Sequence, residues 1–376
     1  MKILNIAATS FELYYLSSIA LLLRKKNQNI SFDLLIDTKL IKNIIISDEI
    51  KKIYSRVYEV YLPGLTPSTK KIFSNIKRGW NFKKFLEKFD LRYDALFINS
   101  YNEFFSNIIY KHLPKTVKLI ICTTYKSKEI QLISKIKWPL LLSFLLCEKI
   151  YGYSLTEYHW SLDKKRIIHK KIKKYPKHTL IFISDHPIDD ILPQNTIVLP
   201  PPFHILKTLF HNTYLEEKAI LVSGERTPLY PSWGKKDKEI FDNFFKYLKT
   251  EFSDYKLYFI PRRGYTDMNF MKPLLSGFHI MDTREPIEEI LAKRHFDKII
   301  SIKSTVCRLG MYYGIPSYIL YPLFDMPKDR KSGMVDSVWD DILNIIRVEK
   351  LADLKKLPQN KMASEDLKDL YYTILL

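Results

Sequence analysis

Residues 256–320 carry the clearest structural pattern in the chain: KLYFIPRRGYTDMNFMKPLLSGFHIMDTREPIEEILAKRHFDKIISIKSTVCRLGMYYGIPSYIL. Three short apolar runs rich in β-branched or aromatic residues occur in it, at 257–260, 278–281 and 298–302. Each run ends in polar or turn-forming residues where a helix can begin, which predicts parallel β–α–β units. Because ligands of parallel sheets bind outside the carboxyl ends of the strands, the residues after each run form the candidate site.

The residues that follow these runs share a chemistry suited to an anion. The first run is followed by Pro261, Arg262 and Arg263, and the third by Lys303, Ser304 and Thr305. Guanidinium and ammonium groups supply positive charge, and hydroxyl and backbone N–H groups at the start of a helix bind phosphate. The pattern therefore predicts a pocket for a phosphate-bearing ligand. The alternative is that the serine and threonine only cap a helix and that the arginines lie in a solvated loop.

Length and composition indicate a folded chain of two domains. Its 376 residues are 46% hydrophobic, which is enough for two sizeable cores. The three cysteines, Cys122, Cys147 and Cys307, are widely spaced and lack the spacing of zinc ligands. Neither a disulfide framework nor a metal site is therefore expected, and the composition favours a reducing, cytoplasmic compartment.

The net charge of +19 is concentrated in the first half of the chain. Lysine plus arginine outnumber aspartate plus glutamate by 33 to 17 in residues 1–205 and by 27 to 24 in residues 206–376. A basic half implies an acidic partner, namely anionic lipid, anionic glycan or nucleic acid. The alternative is a lysine-rich proteome bias that only solvates the surface. An apolar run at 138–147 is too short to span a bilayer and fits either a core helix or a patch that rests on a membrane.

In the first half, strand-like and helix-like runs alternate. Strands are predicted at 3–8, 30–36, 57–61, 95–99, 117–122 and 179–184, and helices near 11–26, 40–55, 70–88 and 103–112. This alternation predicts a doubly wound α/β domain. Three consecutive prolines at 200–202 can continue neither element, so a linker is predicted at 200–215.

The second half repeats the pattern. A strand at 218–223, Gly224 and a helix at 235–251 precede the stretch quoted above, and helices are predicted after it at 335–347 and 364–376. The predicted architecture is α/β, with two Rossmann-like doubly wound domains facing a central cleft. The predicted domains are residues 1–205 and residues 206–376. A fold of this kind does not by itself identify the reaction that a protein catalyses.

Three motifs and the N-terminal residues carry a resemblance to a known family. The motifs are Pro261-Arg262, Glu285-Pro286-Ile287-Glu288 and Ser304-Thr305. They are similar to the histidine–proline, Pro-Ile-Glu and Ser-Ser/Thr motifs of bacterial sialyltransferases with a GT-B fold, the family 52 glycosyltransferases and their polysialyltransferase relatives. The opening MKILNIAATSFELYYLSSIALL is similar to the first strand and helix of that family. The resemblance covers residues 218–320 and about the first thirty residues.

The resemblance implies transfer of sialic acid or a related nonulosonic acid from a CMP-activated donor to a cell-surface glycan, either capsule or lipo-oligosaccharide. Transfer is expected with inversion and without a metal or cofactor. Residues 1–205 would take the acceptor and residues 206–376 the donor. The implied donor-binding residues are Gly224, Pro261, Arg263, Glu288, Glu289, Lys303, Ser304 and Thr305. Among them, the serine–threonine pair would hold the CMP phosphate and one of the two glutamates the ribose hydroxyls, unless these acids only complement a helix dipole.

Two departures from the family affect the catalytic residues. Arg262 stands where the family has histidine, and an arginine that stays protonated can stabilise a leaving phosphate but is a poor proton donor. The region 120–125 lacks the carboxylate that supplies the general base in the family. Asp185 and His186, directly after a predicted strand, are the candidates for that base, with Glu12 and Glu103 also placed at predicted strand ends. The alternative for Asp185 and His186 is a simple turn.

Two other function classes compete with this one. A GT-B transferase with another nucleotide donor, or a CDP-glycerol-type phosphotransferase, would use a similar phosphate pocket. A basic nucleic-acid-binding protein would explain the charge, although no RRM, KH, helix-turn-helix or zinc-finger signature is present and no nucleic acid is expected. The expected partners are therefore a CMP-sugar, a lipid-linked glycan acceptor and the anionic cytoplasmic face of the inner membrane.

Overall fold

The computed structural model describes residues 1–63, 72–98, 105, 108–109, 112–114, 116–123, 156–161, 166–171, 180–184, 196–210, 216–224, 234–262, 266–302, 304–324 and 345–357. The chain divides into two compact units. The first contains Met1–Asn43 and Ile50–Pro201, and the second contains Ile44–Glu49 and Pro202–Lys368. The division falls close to the predicted boundary at residue 205, while the acceptor and donor roles assigned to the two halves stay predictions.

The first unit is built on a parallel sheet of seven strands in the order β3-β2-β1-β4-β5-β8-β9. The described strands of the whole unit are β1 (Lys2–Ala7), β2 (Ser31–Asp37), β3 (Arg56–Val60), β4 (Ala95–Ile98), β5 (Lys118–Thr123), β6 (Thr156–Ser161), β7 (Arg166–Lys171), β8 (Leu180–Ser184) and β9 (Thr196–Val198). Its helices include α1 (Ser10–Lys26), α2 (Thr38–Asn43), α3 (Asp48–Lys51) and α4 (Ile72–Lys88). Strands β6 and β7 form a separate antiparallel pair.

Apolar runs explain the central strands of this sheet. Every residue of β1 after Lys2 is buried, as expected for a parallel strand that is covered on both faces. Helix α4 presents Phe82 and Leu86 to a core that includes Ile6 and Leu96 of the strands. This apolar layer holds α4 against the sheet.

The second unit repeats the plan with six parallel strands in the order β12-β11-β10-β13-β14-β15. The strands are β10 (Ala219–Ser223), β11 (Lys256–Ile260), β12 (His279–Ile280), β13 (Lys298–Ser301), β14 (Ser317–Ile319) and β15 (Ile346–Arg347). The helices include α5 (Lys235–Glu251), α6 (Met268–Met271), α7 (Ile287–Lys293) and α8 (Thr305–Tyr312), and 3-10 helices occur at Phe203–Leu209, Tyr321–Leu323 and Leu351–Lys355. Helix α5 packs Phe244, Phe245 and Leu248 over the sheet. Both units thus confirm the predicted Rossmann-like α/β class.

Two local helix predictions were wrong. The helix predicted to run to residue 347 is replaced at its end by β15, because Ile346 and Arg347 pair with Tyr318 and Ile319 of β14. The helix predicted at 40–55 is two short helices, α2 and α3, separated by residues that are not helical. Its middle, residues 44–49, groups with the second unit, where the Ile45 N–H donates to the Arg284 carbonyl at 2.9 Å.

The segment predicted as a linker is also different in the structure. Residues Phe203–Leu209 form a 3-10 helix whose residues Phe203, Ile205 and Leu206 are buried. The ring of Phe203 stacks on Tyr312 and Tyr313, with both pairs of ring centroids 5.9 Å apart. The apolar side chains after the prolines therefore bind this segment to the second unit.

The antiparallel pair β6 and β7 was not predicted. Residues 166–171 form a strand that pairs with residues 156–161, although they belong to the basic first half of the chain, for which only surface charge was predicted. The predicted helix at 364–376 and the apolar run at 138–147 lie outside the described residues.

Candidate functional site

The candidate site lies at the carboxyl ends of β10, β11 and β13. Strand β10 is central, and its last residue, Ser223, is in register with Ile260 on one side and Ser301 on the other. The chain builds β11 and β12 on one side of β10 and β13 to β15 on the other, so the strand order reverses between β10 and β13. In doubly wound sheets, ligands bind in the crevice outside this reversal point.

Two of the predicted site elements flank the reversal point. Gly224 follows β10, and Ser304 and Thr305 follow β13. Pro261 and Arg262 follow β11, one strand further along, and Arg262 is exposed. The sheet therefore places these predicted residues at neighbouring strand ends. Arg263 and Lys303 lie outside the described residues.

Gly224 is required by packing. A Cβ atom there would lie 2.8 Å from Thr266 Oγ1, 2.9 Å from Phe259 Cζ and 3.1 Å from the Ile260 carbonyl oxygen. The Gly224 N–H donates to that same carbonyl at 2.8 Å, which holds the chain against the end of β11. Thr266 in turn accepts a hydrogen bond from the Arg262 N–H at 2.7 Å. The glycine thus fixes the path of the loop that carries Arg262.

Ser304 is the N-cap of α8. Its Oγ accepts a hydrogen bond from the Val306 N–H at 3.3 Å, and its own N–H donates to Ser301 Oγ at 2.8 Å. Thr305 is the first residue of the helix and is exposed, and the first turn contains no acidic residue. The positive end of the helix dipole is therefore not neutralised by an acid within that turn. Ser304 therefore caps the helix, and the predicted phosphate contact stays a prediction.

Ser301 is a residue of the candidate site that was not predicted from the sequence. Besides Ser304, its Oγ contacts Cys307 Sγ at 3.1 Å, and the Cys307 thiol lies 3.3 Å from the Tyr318 carbonyl oxygen. These bonds are all satisfied when the thiol donates to the carbonyl and the hydroxyl donates to sulfur while accepting the Ser304 N–H. A serine at the last position of an apolar strand was the available sequence signal. Its partners are set only by the fold.

The two predicted ribose-binding acids, Glu288 and Glu289, are buried in α7. Glu289 Oε1 pairs with Lys293 Nζ at 2.5 Å, and that ammonium also contacts Glu285 Oε1 at 3.2 Å. Burial lowers the pKa of Lys293, but the hydrogen bond and charge of Glu289 outweigh it, so the pKa is raised. The Glu289 carboxylate is thus already in an ion pair within its own helix.

A buried tyrosine lies beside these acids. The Tyr313 hydroxyl donates to the Glu288 carbonyl oxygen at 2.6 Å. Burial, followed by the negative charges of Glu288 and Glu289, raises the pKa of Tyr313 well above its usual value. Lys207 of the 3-10 helix donates to the Tyr313 carbonyl at 3.4 Å, and burial lowers the pKa of this lysine. No sequence motif marked this cluster, which forms only when the 3-10 helix packs against α7 and α8.

The candidates for a general base are located in the first unit. Glu12 is buried and closes a capping box at the start of α1: its Oε2 accepts from the N–H groups of Ala8 and Thr9 at 2.6 and 3.1 Å. This is a structural use of its carboxylate. Asp185, His186 and Glu103 lie outside the described residues.

Among the described residues, no group of three or more His, Cys, Asp or Glu side chains is placed to bind a metal ion. Within the same part of the chain, no helix combines the length and hydrophobicity needed to cross a bilayer.

The chain is similar in structure to two UDP-GlcNAc 2-epimerases. The enzyme from Methanocaldococcus jannaschii is 12% identical, with 100% of this chain and 99% of that one covered and a TM-score of 0.52. The enzyme from Neisseria meningitidis, solved with bound UDP-GlcNAc, is 14% identical with the same coverage and a TM-score of 0.51. No protein family and no curated protein sequence matches the chain. At these identities the likeness shows the fold, which is of the predicted GT-B type.

Proposed function

We propose that this chain is a glycosyltransferase that binds a nucleotide-activated sugar at the carboxyl edge of its second sheet. The observation that carries the proposal is the reversal point between β10 and β13. There the start of α8 offers Ser304 and Thr305 with no acid in its first turn. A helix start of this kind favours a phosphate group.

The proposed donor is a CMP-activated sialic acid or related nonulosonic acid. Support comes from the three motifs that resemble those of bacterial sialyltransferases, at residues 261–262, 285–288 and 304–305. In this proposal the hydroxyl of Thr305 and the N–H groups of the first turn hold the CMP phosphate. Glu288 is proposed for the ribose hydroxyls in preference to Glu289, because Glu289 is paired with Lys293.

Arg262 is proposed to stabilise the charge that builds on CMP as the glycosidic bond breaks. It lies on the loop that Gly224 and Thr266 fix at the end of β11. A guanidinium acts here by electrostatics and not by proton transfer. Asp185 or His186 is proposed as the base that activates the acceptor hydroxyl, and transfer is proposed to invert the anomeric centre without a metal.

A second candidate donor is a UDP-sugar. The two epimerases named above share this fold, and the one from Neisseria meningitidis was solved with UDP-GlcNAc. The phosphates of a UDP-sugar would bind at the same start of α8. The two candidates differ in the nucleotide base and in the sugar, so a donor assay separates them.

The proposed acceptor is a lipid-linked surface glycan, with the chain peripheral on the cytoplasmic face of the inner membrane. Residues 1–205 carry most of the net positive charge. In the first unit, the side chain of Trp80 on α4 is 47% exposed, and the ammonium groups of Lys83 and Lys84 lie 5.4 and 5.6 Å from its ring. Aromatic rings among lysines are typical of surfaces that contact anionic lipid headgroups.

The test is a transfer assay on the purified full chain with CMP-sialic acid and UDP-GlcNAc as parallel donors. Lipo-oligosaccharide or capsule fragments serve as acceptors, and free nucleotide and glycan product are both measured. The proposal predicts CMP release coupled to glycan product, with full activity in EDTA. Release of UDP with glycan product would favour the second candidate, and conversion of UDP-GlcNAc without an acceptor would contradict the transferase proposal. No turnover of any nucleotide-sugar would contradict the enzyme assignment.

A further inference from the structure

A second site lies in the first unit, at the carboxyl end of the edge strand β3. A cavity of about 200 Å³ is lined there by Val60, Tyr61, Arg78, Asn81 and Phe82. Val60 ends β3, Tyr61 follows it, and the other three residues lie on α4. Ligand pockets for drug-sized molecules measure roughly 300 to 1,000 Å³. This cavity therefore suits a smaller ligand, with one ring or a few carbon atoms.

Two cations lie over the ring of Tyr61. Lys39 Nζ is 4.5 Å and Arg78 Cζ is 5.1 Å from the ring centroid. The two charges are therefore at most about 10 Å apart, on either side of or over the same ring. Among the described residues, neither side chain forms an ion pair with a carboxylate. The local positive charge is thus uncompensated within this part of the chain.

The hydroxyl of Tyr61 adds a third polar group. It is shielded from solvent and makes no hydrogen bond to the described residues. Two other tyrosines of the same unit have hydroxyl partners: Tyr54 Oη lies 2.8 Å from Ser17 Oγ, and Tyr93 Oη donates to Asp33 Oδ2 at 2.9 Å. A shielded hydroxyl without a partner is unfavourable, and a bound acceptor removes that penalty.

We propose that this cavity binds a small phosphate monoester. Two uncompensated cations match the charge of about −1.5 to −2 that such a phosphate carries near pH 7. The Arg78 guanidinium can donate two parallel hydrogen bonds to phosphate oxygens, and Lys39 adds a second charge. The organic part of the ligand packs against Val60 and Phe82. This site is in a different unit from the proposed donor site and does not rest on the proposed function.

Two kinds of molecule carry a phosphate monoester of this type. The ligand is either a soluble metabolite or the headgroup of a lipid such as phosphatidic acid. Phenyl phosphate is the soluble probe, because it combines one phosphate with one ring. Vesicles of phosphatidylcholine with phosphatidic acid are the lipid probe, with pure phosphatidylcholine vesicles as their control.

The experiment is isothermal titration of phenyl phosphate into the full chain and four variants. Arg78→Gln is expected to weaken binding about ten- to a hundredfold, because a charge-assisted contact is lost. Lys39→Gln is expected to weaken it a few-fold, since its ammonium is exposed. Arg78→Lys keeps a cation but loses the paired donors, so its affinity should fall between wild type and Arg78→Gln. Lys77→Gln is the matched control: it removes one exposed charge from the same helix outside the cavity and should leave the affinity unchanged.

Several outcomes would overturn the proposal. They are no measurable binding of phenyl phosphate to the wild-type chain, equal binding by wild type and both Arg78 variants, or a loss in Lys77→Gln as large as that in Arg78→Gln. Circular dichroism checks the fold of each variant, and Arg78→Lys remains informative if Arg78→Gln unfolds. Competition by phosphatidic acid vesicles, lost in the Arg78 variants, assigns the lipid as the source. Phenyl phosphate binding that such vesicles do not displace assigns a soluble ester.

Discussion

In each of the two sheets, a helix begins beside the point where the strand order reverses. The two helices differ in whether an acidic side chain lies at their start. At α1, Thr9 caps the helix and the Glu12 carboxylate accepts from the Ala8 and Thr9 N–H groups. At α8, Ser304 supplies a neutral cap and the first turn has no acid. Negative charge near a helix start is stabilising. The first helix therefore receives its negative charge from its own sequence, whereas the second has no acid in its first turn and, in the proposed function, receives that charge from the donor phosphate.

The largest expected effect concerns Arg262, which follows β11 in the second unit. We predict that Arg262→Ala lowers turnover with a CMP-sugar by about 10²- to 10³-fold, because a preorganised donor to the leaving phosphate is lost. Arg262→Lys should recover part of this, since an ammonium lacks the paired donors of a guanidinium. Arg284→Ala is the control: its guanidinium is exposed and already paired with Asp282 at 2.7 Å, so turnover should stay near that of wild type. Near-wild-type turnover in Arg262→Ala would contradict the assignment and point to Arg263 or Lys303.

The second prediction concerns a variant, Thr305→Asp, in which α8 has an acid near its start, as α1 does. Thr305→Asp should raise the free energy of unfolding by about 0.3 to 1 kcal/mol through the helix dipole. The same change should weaken nucleotide binding by more than tenfold, because the added carboxylate repels the phosphate. Thr305→Ala, which removes only the hydroxyl contact, should weaken binding by about ten- to a hundredfold without the gain in stability. Calorimetry and urea unfolding measure the two effects. Unchanged affinity in Thr305→Asp would show that no phosphate binds at this helix start.

A third prediction tests the loop that carries Arg262. Gly224→Ala should lower the free energy of unfolding by about 1 to 3 kcal/mol, because a new methyl group overlaps Thr266 and β11. Gly234→Ala is the matched control, since nothing lies within 4 Å of a Cβ atom at that position. Its cost should be limited to the modest preference of helix N-caps for glycine over alanine. Equal losses in the two variants, measured by urea unfolding, would show that Gly224 is not required by packing.

The fourth prediction removes the acid that α1 supplies to itself. Glu12→Ala should lower the free energy of unfolding by about 0.5 to 2 kcal/mol, because the N–H groups of Ala8 and Thr9 lose their acceptor. Glu12→Gln keeps an acceptor oxygen and should cost less. Chemical denaturation of both variants is the measurement. A loss of turnover in Glu12→Gln without a loss of stability would instead favour Glu12 as the general base.

The smallest effects are expected from the charge difference between the halves of the chain. Binding to anionic vesicles should depend on α4 and weaken with salt, with each lysine near the surface contributing about 1 kcal/mol. The double variant Lys83→Gln with Lys84→Gln should therefore bind more weakly in a vesicle sedimentation assay. Lys235→Gln with Lys236→Gln, two exposed lysines of α5 in the second unit, is the control. Equal weakening in both double variants would contradict a specific role for α4.

The sequence predicted strands β10 to β13 of the second sheet, because runs such as residues 257–260 and 298–302 are apolar, β-branched or aromatic and bounded by polar residues. Strand β14 was not predicted. Helix α5 has the predicted bounds, 235–251, since its apolar residues recur with helical spacing. Strand β15 and the 3-10 helix Phe203–Leu209 were not predicted, because both depend on contacts with distant residues. The sequence showed that Ser304 and Thr305 begin a helix. It could not show that Ser301 positions the Ser304 N–H, or that Lys293 pairs with Glu289, since these depend on side-chain contacts in the folded unit.

The central claim is that the start of α8 binds the phosphate of a cytidine nucleotide. The direct measurement is the melting temperature of the wild-type chain and of Thr305→Asp with CMP, CDP, UDP, GDP and ADP at equal concentration. A ligand at a hundred times its dissociation constant stabilises the folded state by about 2.7 kcal/mol, so binding is visible as an upward shift. We predict that CMP and CDP raise the melting temperature of wild type more than the other three nucleotides do, and that this shift is absent in Thr305→Asp. Equal shifts for all five nucleotides, or a cytidine shift that persists in Thr305→Asp, would contradict the claim.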